Sequence, residues 1–184
     1  MNTTGKAQST GDAWTIIVPV KALDRAKSRL SGAVSAEARH ALVLAMASDV
    51  VRACRDCPRV STVRLAGSDA QARTVAAALG AEFIADPGPG GSPDAPATRE
   101  TEDPLNAALA HAMSSVPGPI GVITADLPEL DPRLLTHILD SAAVHAHSIV
   151  VDHRGRGTTM AFWTGATDRV CRFGVDSAER FRRL

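Results

Sequence analysis

Short apolar runs rich in β-branched residues alternate along this chain with longer segments whose apolar positions recur every three or four residues. Trp14 to Val20, WTIIVPV, is the first run and predicts a buried strand. From Ser35 to about Arg55, Val43, Met46, Val50 and Ala53 fall at helical spacing, with Ser35 as N-cap and Glu37 in the first turn. Val60 to Ala66 predicts a second strand. A helix follows from Ser68 to Gly80, capped by Ser68 or Asp69 and stopped by Gly80. Ala81 to Ala85 predicts a third strand. Asp86 to Asp103 carries PGPGG and no period; a loop of that length is a lid, a binding loop or a disordered segment. Pro104 to Met113 predicts a helix that opens on proline, and Ile120 to Ala125 a fourth strand. Asp131 to Ala146 predicts a helix with Asp131 as cap, Ser148 to Asp152 a fifth strand, and Thr158 to Trp163 a sixth after the turn HRGRG. A short helix opening near Asp176 and Ser177 ends the chain. Strands and helices alternate four times. That pattern specifies a parallel sheet covered on both faces by helices, a doubly wound α/β fold.

Composition narrows the function. At 184 residues the chain suits one domain, expected over residues 14–184, with 1–13 as a polar, disordered leader. Apolar residues make up 45% and charged residues 22%, ordinary globular values. Twenty cations balance twenty acids, which argues against a nucleic-acid face but leaves room for a local anion site. No apolar run reaches the 18–20 or so residues of a membrane span, and the N-terminus lacks a signal-peptide core, so the protein is expected in the cytoplasm. Cys54 and Cys57 have redox or half-zinc spacing, but no second pair completes a site; they read as two thiols at a fraying helix end. The six histidines lack ligand spacing, and His111, His137, His145 and His147 read as solvated or packing residues on or beside helices.

In open parallel sheets, ligands bind outside the carboxyl ends of the strands. Lys21, Arg25, Lys27 and Arg29 follow the first strand, Asp126 the fourth, and Asp152, Arg154 and Arg156 the fifth. Lys21, Lys27 and Arg29 suit a polyphosphate, although a solvated basic loop has the same composition. The RGRGTT turn suggests a nest of backbone N–H groups for an anion, with Thr158 or Thr159 adding a hydroxyl, and the start of the last helix with Ser177 suggests another anion site. A carboxylate beside bound phosphates needs a cation between them, so Asp126 reads as a Mg²⁺ anchor; the plain alternative is an Asp that opens the turn into Leu127-Pro128. No G-x-G-x-x-G follows the first strand, which speaks against a dinucleotide dehydrogenase, and the lack of a P-loop excludes a P-loop kinase or GTPase.

The run IIVPVKALDRAKSRLSGAVSAEARHALVLAMASDVV, followed in order by DPLNAAL, ITADLPEL, GRGTTMAF and FGVDSAERF, resembles the guanylyltransferases of coenzyme F-420 biosynthesis that act on phosphoenolpyruvate or 2-phospho-L-lactate. The resemblance runs from Trp14 to Leu184. It implies a nucleotidyltransferase fold akin to GT-A glycosyltransferases, a mixed Rossmann-like sheet. It implies condensation of GTP with phosphoenolpyruvate to enolpyruvyl-diphospho-guanosine and pyrophosphate, with Mg²⁺. 2-Phospho-L-lactate and 3-phosphoglycerate are the alternative acids, and a non-catalytic nucleotide-binding module is the alternative role. By motif match, Asp126 takes the metal and catalytic position. Lys21, Lys27 and Arg29 face the nucleotide, with Lys27 also catalytic, and Asn106 approaches the nucleoside. Thr159, Gly174 and Ser177 take the acid. Family members continue to a further strand end, DVDTP-like, with a second metal carboxylate. This chain stops at FRRL, so it is expected to be truncated, or else to draw that carboxylate from a residue such as Asp152 or Asp176, or to be impaired in activity.

Overall fold

The computed structural model describes residues 13–20, 35–86, 103–166 and 168–184; residues 1–12 and 87–102, expected as leader and irregular loop, lie outside them. Six strands form one sheet: β1 (Trp14–Pro19), β2 (Val60–Gly67), β3 (Glu82–Ala85), β4 (Ile120–Ile123), β5 (His147–Val151) and β6 (Thr158–Trp163), in the order β3-β2-β1-β4-β6-β5. The β1–β2, β1–β4 and β2–β3 pairs are parallel. The β6 strand pairs antiparallel with both β4 and β5, so the sheet is mixed and β5 points the same way as β4.

Side chains alternate between faces, as pleated strands require. Trp14, Ile16, Val18, Met160 and Phe162 pack under α1 (Ala36–Asp56), α2 (Ala70–Ala78) and α4 (Pro132–Ala142). Ile17, Ile120, Val122, Ala161 and Trp163 pack under α3 (Pro104–Ser114) and α5 (Ser177–Arg182). In the middle of β4, a Cβ on Gly121 would stand 2.7 Å from the Phe162 ring and 2.8 Å from Ile16 Cδ1; glycine makes room for both. At the end of β2, a Cβ on Gly67 would meet the Val20 carbonyl at 2.9 Å, so the glycine lets the end of β1 lie close beside β2.

Helix starts follow the expected chemistry. Ser35 accepts from Ala38 N, Asp69 from Gln71 N, and Asp131 from both Arg133 N and Leu134 N. Asp103, expected as the last residue of an irregular loop, caps α3 through Leu105 N. The α4 helix stops at Ala142 rather than Ala146. His147 opens a strand, where its ring stacks against Phe181 and lies 5.3 Å from Trp163. The thiols of Cys54 and Cys57 are buried, not frayed. The C-terminal end of α1 is covered by α4, and Cys57 Sγ lies 3.4 Å from Thr136 Oγ1. Burial pushes the Cys54 thiol up to about 12, with Cys57 adding to the shift, so Cys54 is inert packing.

Candidate active site

Because β5 runs with β1 and β4, and β6 against them, one rim gathers the ends of β1, β4 and β5 and the start of β6. Thr124 N donates to the Thr159 carbonyl at 3.0 Å, tying the exit of β4 to the entry of β6. Two residues on, Asp126 stands exposed in the turn after β4. The strand order places it between β1 on one side and β6 on the other.

The acid residues expected from the sequence come together differently than strict alternation suggests. Register slips between Val150 and Val151, so that Val150 pairs with Met160 and Val151 with Thr158, passing over Thr159. Such a bulge re-aims side chains. Thr158 would otherwise share a face with Met160 and Phe162; instead its buried hydroxyl accepts from Ser177 Oγ at 3.0 Å, beneath α5. Thr159 Oγ1 donates to the Val150 carbonyl at 3.1 Å. The structure therefore joins Ser177 to Thr158, a residue that sequence reasoning named only as an option. A bulge leaves no mark in the apolar period, so alternation alone could not single Thr158 out.

Gly174 sits exposed at φ 123°, a backbone state that side chains avoid. Asn106 is 2% exposed and holds the neighbouring residue at both ends: Nδ2 donates to the Phe173 carbonyl at 3.1 Å, and Oδ1 accepts from Phe173 N at 2.9 Å. Its amide thus holds the 173–174 bend. Lys21, Lys27 and Arg29 lie outside the described residues.

The RGRG turn is not an open anion nest. Asp152 Oδ1 accepts from Arg154 N at 3.1 Å and Arg156 N at 3.0 Å, and a Cβ on Gly157 would stand 2.6 Å from Oδ2. Desolvation pushes the Asp152 carboxyl up, but the amides of Gly157, Arg156 and Arg154 and the neighbouring His153 outweigh it and hold it below its ordinary value. The chain's own carboxylate fills the nest. The start of α5 is likewise engaged. Ala178 N donates to the Arg156 carbonyl at 3.0 Å, and Asp176, at φ 51°, accepts from Arg156 Nε at 2.9 Å and Nη2 at 2.8 Å. Asp152 and Asp176 thus each have Oδ1 engaged by neighbouring groups of the chain. Among the described residues no group of three His, Cys, Asp or Glu side chains is arranged to hold an ion.

A family model described as CofC-like guanylyl transferase matches residues 14–174, from the first strand through the Gly174 bend. The chain belongs to this family. It is a nucleotidyltransferase. The phosphoenolpyruvate guanylyltransferase of Streptomyces coelicolor is 40% identical over 174 residues, covering 92% of this chain and 76% of that protein. The enzyme of the same name from Rhodococcus erythropolis is 38% identical over 167 residues, covering 88% and 74%. Among solved structures, a protein of Desulfovibrio desulfuricans assigned to the nucleotide-diphospho-sugar transferases superposes with a TM-score of 0.64 over 92% of this chain and 75% of that one. Identity there is 16%, and the likeness concerns the fold. The family match carries the Asp126 turn, the β5–β6 hairpin and Asn106; Ser177 lies three residues beyond it. Among the described residues no helix is long and apolar enough to cross a membrane.

Proposed function

We propose that this protein joins GTP to phosphoenolpyruvate, releasing pyrophosphate and forming enolpyruvyl-diphospho-guanosine, as a cytoplasmic enzyme of coenzyme F-420 biosynthesis. The observation that carries the reading is the place of Asp126: one strand from β1, whose following loop holds Lys21, Lys27 and Arg29, and one strand from β6, which leads to Ser177 and Gly174. Strands stand roughly 4.8 Å apart, so the carboxylate lies between a nucleotide held over β1 and an acid held over β6. The names of the curated relatives support the choice of nucleotide and acid.

The substrate's phosphate oxygen attacks the α-phosphorus of GTP in line, the bond to the β-phosphate breaks, and pyrophosphate departs. A phosphate monoester is already nucleophilic at neutral pH, so catalysis rests on positioning and charge rather than on a general base. One exposed carboxylate at Asp126 fits Mg²⁺, which takes one or two protein carboxylates and completes its shell with phosphate oxygens and water. Bound there, Mg²⁺ supplies charge neutralisation for the phosphates of both substrates. Lys21, Lys27 and Arg29 hold the triphosphate and stabilise the departing pyrophosphate, with Lys27 also serving catalysis. The Gly174 backbone orients the acid, and the hydroxyls of Ser177 and Thr159, which here donate to Thr158 Oγ1 and the Val150 carbonyl, turn to it when it binds. Asn106 acts from behind by fixing the 173–174 bend.

The test is pyrophosphate release across four nucleoside triphosphates and three acids (phosphoenolpyruvate, 2-phospho-L-lactate and 3-phosphoglycerate), with and without Mg²⁺. GTP with phosphoenolpyruvate should exceed every other pair at least tenfold. Faster release with either other acid reassigns the substrate. Binding of GTP and acid without any release makes the protein a nucleotide-binding module.

A further inference from the structure

A cavity of about 530 Å³ opens between the tip of the β5–β6 hairpin and α5. Four arginines line it, Arg156, Arg180, Arg182 and Arg183, against two carboxylates, Asp176 and Glu179. Both carboxylates are in use. Glu179 Oε1 takes Arg183 at 3.2 Å and Oε2 faces Arg182 at 4.0 Å. Asp176 takes both Nε and Nη2 of Arg156. No carboxylate among the described residues lies within ion-pair distance of Arg180. Its Nη1 makes one long bond, 3.4 Å, to the Phe173 carbonyl, and stands 3.5 Å from where a Cβ on Gly174 would be. Asp103 Oδ2 is equally close to that point, while its Oδ1 caps α3. Four arginines against two carboxylates leave the cavity lining a surplus of two positive charges, which Asp103 at the Gly174 bend reduces to one.

We propose that Arg156 and Arg180 bind the anionic groups of the second substrate, a small acid bearing both phosphate and carboxylate, and that Asp176 holds Arg156 until that acid replaces it. The inference rests on the guanylyltransferase reading and extends it to residues outside the family match or at its hairpin tip. Such an acid carries close to three negative charges at neutral pH, and the planar fork of arginine suits phosphate and carboxylate oxygens alike. The Arg156–Asp176 pair is open to solvent, 74% and 51% exposed, and a pair of that kind is held weakly enough to exchange. Exchange does not require the backbone to move, because the Arg156 carbonyl stays bonded to Ala178 N in the turn that holds Ser177. The site lies two strands from β1, roughly 10 Å, which separates it from a nucleotide over β1.

The experiment measures acid binding by calorimetry on the full chain, with phosphoenolpyruvate, 3-phosphoglycerate and inorganic phosphate, each with and without GTP and Mg²⁺. Pyrophosphate release is followed alongside. Arg180→Gln and Arg156→Gln should each weaken phosphoenolpyruvate binding at least tenfold and raise its KM, with the KM for GTP within twofold of the parent. Arg180→Lys should fall between parent and Arg180→Gln, which covers the case in which the Gln variant folds poorly. Asp176→Asn, by releasing Arg156, should tighten acid binding. Parental acid affinity in both folded Gln variants, or no acid binding by the parent under any condition, overturns the inference. If the parent turns over GTP and phosphoenolpyruvate while both Gln variants keep its acid KM, the inference fails and the guanylyltransferase reading stands. If the Gln variants lose acid binding but the parent releases no pyrophosphate with any triphosphate, the inference stands and that reading fails.

Discussion

At the scale of single residues, the buried polar groups decide most. Asn106 satisfies the N–H and the carbonyl of Phe173 in one stroke, at a place sealed from water. Asn106→Ala strips both partners and should cost about 2 kcal/mol, read as a lower denaturation midpoint at unchanged slope. An unchanged midpoint would show the bend holds itself. His147 is a second case. Its ring is stacked against Phe181 and close to Trp163, its Nε2 has no hydrogen-bond partner among the described residues, and burial pushes its pKa below the ordinary 6.5. The folded state then disfavours the charged ring while the unfolded chain accepts it. Stability is complete above about pH 6.5 and falls as pH drops through the lowered folded value. Thermal melts at pH 7.5 and 5.5 should separate more for the parent than for His147→Phe; equal separation would mean other groups carry the dependence. Neither residue announces its role in the sequence, since an Asn in a helix and a His before a strand read equally well as surface groups.

At the scale of elements, legibility is uneven for a physical reason. Caps are local: Ser35, Asp69 and Asp131 each bond an amide two or three residues on, so the sequence reveals them directly. The β5–β6 bulge is not local. It depends on where β5 meets β6, and it alone brings Thr158 rather than Thr159 to Ser177. Buried Cys54 and Cys57 were misread for a similar reason, because the end of α1 is covered by α4, distant in sequence. Gly121 shows the sheet's tolerance most sharply. Gly121→Ala drives a methyl to within 3 Å of Phe162 and Ile16 and should destabilise by about 1–3 kcal/mol. Adding Phe162→Leu should recover part of that loss in a double-mutant cycle, and strict additivity would place the strain elsewhere.

At the scale of the whole molecule, the sheet order turns scattered residues into one rim. Asp126, in the turn after β4, stands between β1 and β6, the strands that lead to the residues proposed to hold nucleotide and acid. Asp126→Ala should lower turnover at least a hundredfold, about 3 kcal/mol in barrier, with stability little changed because the residue is exposed. Near-parental rates in a well-folded variant would remove Asp126 from the chemistry. Lys27→Ala should weaken GTP binding while leaving acid binding intact, a split that calorimetry with each substrate alone resolves.

By itself the sequence determined the alternation of strands and helices, the caps, the faces of the helices and the family, because these rest on local bonds, periodicity and motif order. Only the tertiary structure decided that the RGRG amides serve Asp152 and that Asp176 answers Arg156. It alone set Thr158 against Ser177 and committed Asn106 to a backbone bend. Each of those is a competition among polar groups brought together by packing, and its outcome depends on distances that no spacing along the chain encodes.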